Sequence, residues 1–163
     1  IFTSNRNGSA DIWRVHPNGS GLEQLTNDPA FDDQAVFSPD GKMIAFVSSR
    51  EKQADIYIMD LATRRTKNLT HHLAGDFRPA WSPDGKSIAF STDRDSKKPK
   101  PVFTLWHSTE VYTIGIDGSS LTRRTFDNTY AGCPSWSPDG KTLVCERGFY
   151  VNDVVLMSDF LPT

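Results

Sequence analysis

Two cysteines in 163 residues are too few for a disulfide framework or for a cysteine-based zinc site. There is little surplus charge, since 18 Lys and Arg stand against 20 Asp and Glu for a formal net charge of −2. That balance argues against a general electrostatic grip on nucleic acid or a membrane surface. Lys97, Lys98 and Lys100 form too short a basic cluster to change this. No apolar run approaches the roughly 20 residues that span a bilayer, so no membrane insertion is expected. The opening residues, IFTSNRNGSADIW, have no basic start and no long apolar segment, so they do not read as a signal peptide. They also lack an initiator Met, and the chain is expected to begin in mid-strand, processed or cut from something longer. Catalytic signatures are missing too: there is no Gly-x-Ser-x-Gly elbow, no His-Glu-x-x-His and no phosphate loop. The adjacent His71 and His72 would point apart on an extended segment, which does not suit a shared metal. No catalytic residue, metal or cofactor is expected.

What the chain has is repetition. SPDGK occurs at Ser38–Lys42, Ser82–Lys86 and Ser137–Lys141, first 44 and then 55 residues apart. Other phrases keep step. FTSNR, FVSSR and FSTDR end at Arg6, Arg50 and Arg94. DIWRV from Asp11 returns as DIYIM from Asp55, EVYTI from Glu110 and DVVLM from Asp153. QLT at Gln24–Thr26 returns as NLT at Asn68–Thr70 and, degraded, as RRT at Arg123–Thr125. A period near 44 with four short apolar pieces per unit predicts a β-propeller built from four-stranded antiparallel blades. Val, Ile, Tyr, Phe and Trp dominate those pieces, as half-buried pleated surfaces require. SPDGK suits a three-residue hairpin loop, with proline presetting φ and glycine taking the left-handed position.

The fold class is therefore all-β, a single propeller segment of about three and a half blades. The boundaries read as a partial blade at 1–30, blades at 31–74 and 75–129, and a partial blade at 130–163. The third unit carries an insertion at 95–107. Unit one lacks its first strand and unit four its last, leaving fourteen strands that cannot close a ring alone. The parent ring is expected to have six to eight blades, the rest coming from the same longer chain or from an assembly.

The stretch FRPAWSPDGKSIAFSTDR (Phe77–Arg94), with DIYIMD and NLT, resembles the TolB-like propeller repeat, a WD-like family. The Gly-His and Trp-Asp markers of ordinary WD repeats are absent. The resemblance covers the chain apart from the insertion. It implies an extracytoplasmic setting, periplasmic or secreted. It leaves function open, because similar propellers serve as a protein-binding component of the Tol–Pal envelope system, as gating domains of serine peptidases and as lyases of uronate sugars. The first expectation is a non-enzymatic module that binds a protein or peptide partner through its channel face. The alternative is the propeller portion of an enzyme.

Strand alternation puts the b–c loops and the d–a connections on one face of the disc. The insertion in unit three, DSKKPKPVFTLWHSTE (Asp95–Glu110), lies there with Trp106 and His107. It reads either as a solvated loop whose aromatics tuck against the propeller or as a lid that touches a ligand. Asp32 and Asp76 are equivalent, six residues before each turn serine, and so are Gln34 and Arg78. The third copy departs from this, with Ala131 and Cys133. The two aspartates either cap local backbone amides or meet a ligand at the channel mouth, and Asp32, Asp76, Arg78, Trp106 and His107 form the candidate binding set. If Pro138–Gly140 is a three-residue loop, Cys133 faces Cys145 across the hairpin. The pair then either forms a disulfide or remains as two half-buried thiols.

Overall fold

A computed structural model describes residues 1–96, 109–126, 130–148 and, by their backbone, 153–158. Among these, all regular structure is β. The first sheet holds β1 (Phe2–Asn7), β2 (Ser9–Arg14) and β3 (Glu23–Gln24). The second holds β4 (Asp32–Phe37), β5 (Met43–Ser48), β6 (Asp55–Asp60) and β7 (Thr66–Asn68). The third holds β8 (Asp76–Trp81), β9 (Ser87–Thr92), β10 (Glu110–Gly115) and β11 (Thr122–Arg123). The fourth holds β12 (Ala131–Trp136), β13 (Thr142–Arg147) and β14 (Asp153–Ser158). Within each sheet, neighbours in sequence pair antiparallel. This is a partial propeller, with β4, β8 and β12 as the innermost strands of their blades, packed side by side.

The apolar runs of the second and third strands of the second and third blades are buried on both faces, because each of these blades lies between two others. Phe46 and Tyr57 pack with Ile12 and Leu25 between the first two blades. Val47 and Ile58 of the second blade meet Ile88 and Phe90 of the third, and Ala89 and Val111 meet Leu143 and Cys145 of the fourth. Phe46 and Phe90 are wholly buried, a gain of about 1.5–3 kcal/mol each. The indoles of Trp81 and Trp136 stitch neighbouring inner strands by donating to the carbonyls of Val36 and Ala80, at 3.3 and 3.2 Å.

The turn phrase stands on one face in all three blades. A Cβ on Gly85 would lie 3.7 Å from Pro39, and one on Gly140 3.7 Å from Pro83. The loop is one residue longer than its sequence predicts. Ser38 N–H donates to the Met43 carbonyl at 2.9 Å, and Ser82 and Ser137 pair with Ser87 and Thr142 in the same way. The cause is the Asp side chain. Asp40 Oδ1 accepts from the Ser38 hydroxyl at 2.7 Å and from Lys42 N–H at 3.1 Å, while Met43 N–H donates to Ser38 Oγ. Lys42 is thereby held inside the loop, and Gly41 takes φ 69°. A one-residue slip would turn every inward side chain outward. A β-bulge in each inner strand reverses it, between Asp33 and Val36, Phe77 and Ala80, and Gly132 and Ser135.

That bulge corrects the expected direct facing of the two cysteines and leaves the free-thiol alternative. Cys133 and Pro134 together oppose Cys145, and Cys133 adopts φ 50°. Its side chain meets Arg78, while Cys145 is buried in the interblade core. Both cysteines are free thiols.

Candidate functional site

Asp32 and Asp76 do not stand at an open channel mouth. Both are wholly buried, and each faces an arginine of its own blade. Arg50 Nη2 donates to Asp32 Oδ1 and Oδ2 at 3.1 and 3.0 Å, and Arg94 Nη2 donates to Asp76 Oδ1 and Oδ2 at 3.1 and 3.2 Å. Each guanidinium also lies over two rings. Arg50 is 5.5 Å from the Phe46 centroid and 4.7 Å from that of Tyr57. Arg94 is 5.4 Å from Phe90 and 4.8 Å from Tyr112. The phrases ending in Arg50 and Arg94 are therefore a structural device, a cation held between aromatic faces and a buried carboxylate. Burial pushes both Asp carboxyls upward, opposed by the Ser48 hydroxyl and Arg50 in one blade and by the Thr92 hydroxyl and Arg94 in the other.

The QLT and NLT phrases join this device to the preceding blade. Thr70 Oγ1 accepts from Ile56 N–H at 3.0 Å and donates to Asp55 at 3.2 Å, and its hydroxyl also bonds Asp76. Thr26 serves Ile12, Asp11 and Asp32 in the same way. Burial together with the Asp95 carboxylate, which accepts the Tyr112 hydroxyl at 2.6 Å, pushes that phenol up to about 12.

What does reach the channel is the bulge. Gln34, Arg78 and Cys133 occupy its first position in three successive inner strands, at φ 56°, 55° and 50°. Left-handed backbone at a residue with a Cβ costs about 1–2 kcal/mol, and bulges redirect a side chain away from the pleat. The three residues link across blades. Arg78 N–H donates to Gln34 Oε1 at 2.7 Å, and Arg78 Nη1 donates to the Tyr130 hydroxyl at 3.0 Å and to Cys133 Sγ. Glu146 Oε2 lies 3.8 Å from the same nitrogen. The Arg78 side chain keeps 45% of its exposure. Burial and a hydrogen bond with Glu146 raise the Cys133 thiol, so it is neutral at neutral pH.

The d–a connections present Phe31, Leu73 and Phe126, at 49%, 82% and 66% exposure. They share a face with the b–c loops, because successive strands reverse direction. Of the expected binding residues, Arg78 stands at the channel, Asp32 and Asp76 are held inside the blades, and Trp106 and His107 lie outside the described residues. Tyr130 and Glu146 were not legible in the sequence, because Tyr130 sits in a connection and Glu146 in a strand whose partner register the bulge shifts. Among the described residues no group of His, Cys, Asp and Glu is arranged to hold a metal.

The family model that matches this chain, over residues 32–158, is the TolB beta propeller domain. The chain belongs to the TolB β-propeller family. Of solved structures, the protein assigned as TolB in Agrobacterium tumefaciens shares 26% identity with a TM-score of 0.78, covering 96% of this chain and 56% of its own. TolB from Acinetobacter baumannii shares 23% with a TM-score of 0.72, covering 96% of this chain and 39% of its own. An oligogalacturonate lyase from Vibrio parahaemolyticus, 14% identical with a TM-score of 0.68, covers 89% of this chain and 41% of its own, and shows the fold alone. This TolB-family chain thus spans 56% and 39% of the length of the two TolB structures. It matches no curated protein.

Proposed function

We propose that this TolB-family segment binds a protein or peptide partner at the channel face, in an extracytoplasmic setting. The observation that carries the reading is Arg78, a half-exposed cation held on an inner strand by a left-handed bulge, with the connections that lead into the inner strands exposing Phe31 and Leu73. Exposed aromatic and arginine side chains are the residue types enriched at protein–protein interfaces, where they carry most of the binding energy. The family match and the 26% likeness to the Agrobacterium TolB structure favour a TolB-type role, and the enzyme propellers among the neighbours are similar in fold alone.

The test is site-specific photo-crosslinking in envelope extracts. A crosslinker at Leu73 captures a discrete protein partner, the same crosslinker at Lys86 on the opposite face does not, and Arg78→Glu abolishes the capture. Equal capture from both faces, or capture insensitive to Arg78→Glu, overturns the reading.

A further inference from the structure

The arginines of this chain divide by what they hold. Arg14, Arg50, Arg94 and Arg123 each have a carboxylate oxygen close by, at 2.7, 3.0, 3.1 and 2.8 Å. Arg78 does not. Its Nη1 donates to two neutral groups, the Tyr130 hydroxyl and Cys133 Sγ, and the nearest described carboxylate oxygen, on Glu146, is 3.8 Å away. Tyr130 keeps this place by folding back over Gly132, where a Cβ would come within 2.6 Å of its hydroxyl. A guanidinium carries five N–H donors in a flat fork. The Nε and Nη2 edge of Arg78 meets no acceptor among the described residues.

The preceding residue in the row of bulges is short of an acceptor too. Gln34 Oε1 accepts the Arg78 N–H at 2.7 Å, and that bond fixes which end of the amide faces the neighbouring strand. The Nε2 end, with two N–H donors, has no acceptor among the described residues. Gln34 reaches toward the third blade and Arg78 toward the fourth, so both sets of donors lie between described blades. They are also set apart. The Gln34 amide sits at the Arg78 backbone, and the guanidinium sits at the far end of that side chain. A single small anion therefore serves one set and not both.

We infer that Gln34 and Arg78 together bind one acidic residue of a peptide, Gln34 Nε2 donating to its backbone carbonyl and the Nε–Nη2 edge of Arg78 to its carboxylate. The inference rests on the channel-face reading above and adds the chemistry of the partner. A surface with donors to spare on two successive inner strands selects a ligand that brings oxygens. The flat edge of a guanidinium matches the two oxygens of a carboxylate, and the bond is charge-assisted. A peptide supplies a carbonyl and a carboxylate on one residue, and its apolar neighbours suit the exposed Phe31 and Leu73 of the same face.

The test titrates the isotope-labelled chain, as it is, with the peptides acetyl-Gly-Glu-Gly-amide and acetyl-Gly-Gln-Gly-amide. NMR follows the side-chain N–H signals of Arg78 and Gln34. The Glu peptide should move both signals saturably, and the Gln peptide should bind about tenfold more weakly. Arg78→Gln should remove that difference, and Gln34→Ala should weaken both peptides alike. Arg78→Gln repeats the residue that already holds φ 56° in the second blade, so its circular dichroism should match the unaltered chain. No movement of either signal, equal binding of the two peptides, or tighter binding of trigalacturonate than of the Glu peptide would overturn the inference. So would acetate at matched ionic strength moving both signals as far as the Glu peptide does, which would mean an adventitious ion only. If Leu73 crosslinks to a partner while the two peptides bind equally, this inference fails and the channel-face reading stands.

Discussion

The second and third blades and the fourth solve the same packing problem in opposite ways. In the former, Asp32 or Asp76 is buried beneath an arginine that is stacked on a Phe and a Tyr. In the fourth blade, Ala131 stands at the Asp position and Cys145 at the Phe position, and Arg147 pairs with Ala131 where a serine or threonine would be. The members are replaced together. A buried carboxylate without its arginine is an uncompensated charge, and a buried arginine without its carboxylate is another, so neither can be exchanged alone at small cost. The fourth blade, with the acid gone, buries Ala131 and Cys145 in plain apolar contact with Ala89 and Val111. Its bulge residue is also free to be a thiol that leans on Arg78.

The largest effect that would test this contrast is Asp76→Ala, which strands Arg94 at 8% side-chain exposure. It should lower unfolding stability by about 3–5 kcal/mol, read by urea denaturation. Arg94→Ala should cost a similar amount, and the double variant clearly less than the two added together, with a coupling of about 1–3 kcal/mol. If the costs simply add, the sandwich is not one unit.

A sharper comparison lies in the threonines. Thr70 and Thr125 each accept a strand N–H, from Ile56 and Val111, at 3.0 and 2.9 Å. Each also donates to a carboxylate of its own blade, Asp55 or Glu110. Only Thr70 has, in addition, an Asp in the next blade, because Ala131 replaces it after Thr125. Thr70→Val should therefore destabilise more than Thr125→Val, by about 1 kcal/mol, in paired thermal melts. Equal losses would mean that the interblade bond is idle.

The smallest effect is in the acid limb. The turn carboxyls of Asp40, Asp84 and Asp139 are held below the ordinary value near 3.8 by a serine hydroxyl and a lysine N–H. A depressed carboxyl stabilises the fold above its unfolded value and loses that contribution as pH falls through the folded one. Asp32 and Asp76 are raised, so their contribution is complete below about 3.8 and declines as pH rises through their folded values. Asp84→Asn should therefore flatten the loss of stability below pH 4 and leave the trend above it unchanged, as followed by denaturant midpoints from pH 3 to 7. A parallel shift at every pH would show that the turn acts through geometry rather than charge.

The periodic phrases made the blades legible because each encodes a local necessity. A Pro-Asp-Gly turn, an alternating or doubly buried strand and a threonine hub can all be read within ten residues. The bulge was not legible, since Gln34, Arg78 and Cys133 share no side-chain chemistry, and none is the glycine that positive φ favours. Nor was the role of Asp32 and Asp76, whose partners Arg50 and Arg94 lie 18 residues on in the chain.

By itself, the order of residues determined the fold class, the blade period and the side of the disc on which the turns stand, because short-range turn chemistry and strand alternation decide those. Tertiary structure alone decided which charges are buried and which stay exposed. A carboxylate at a given repeat position is structural or available according to whether an arginine from the neighbouring strand is stacked above it. That depends on a register which a single left-handed residue resets.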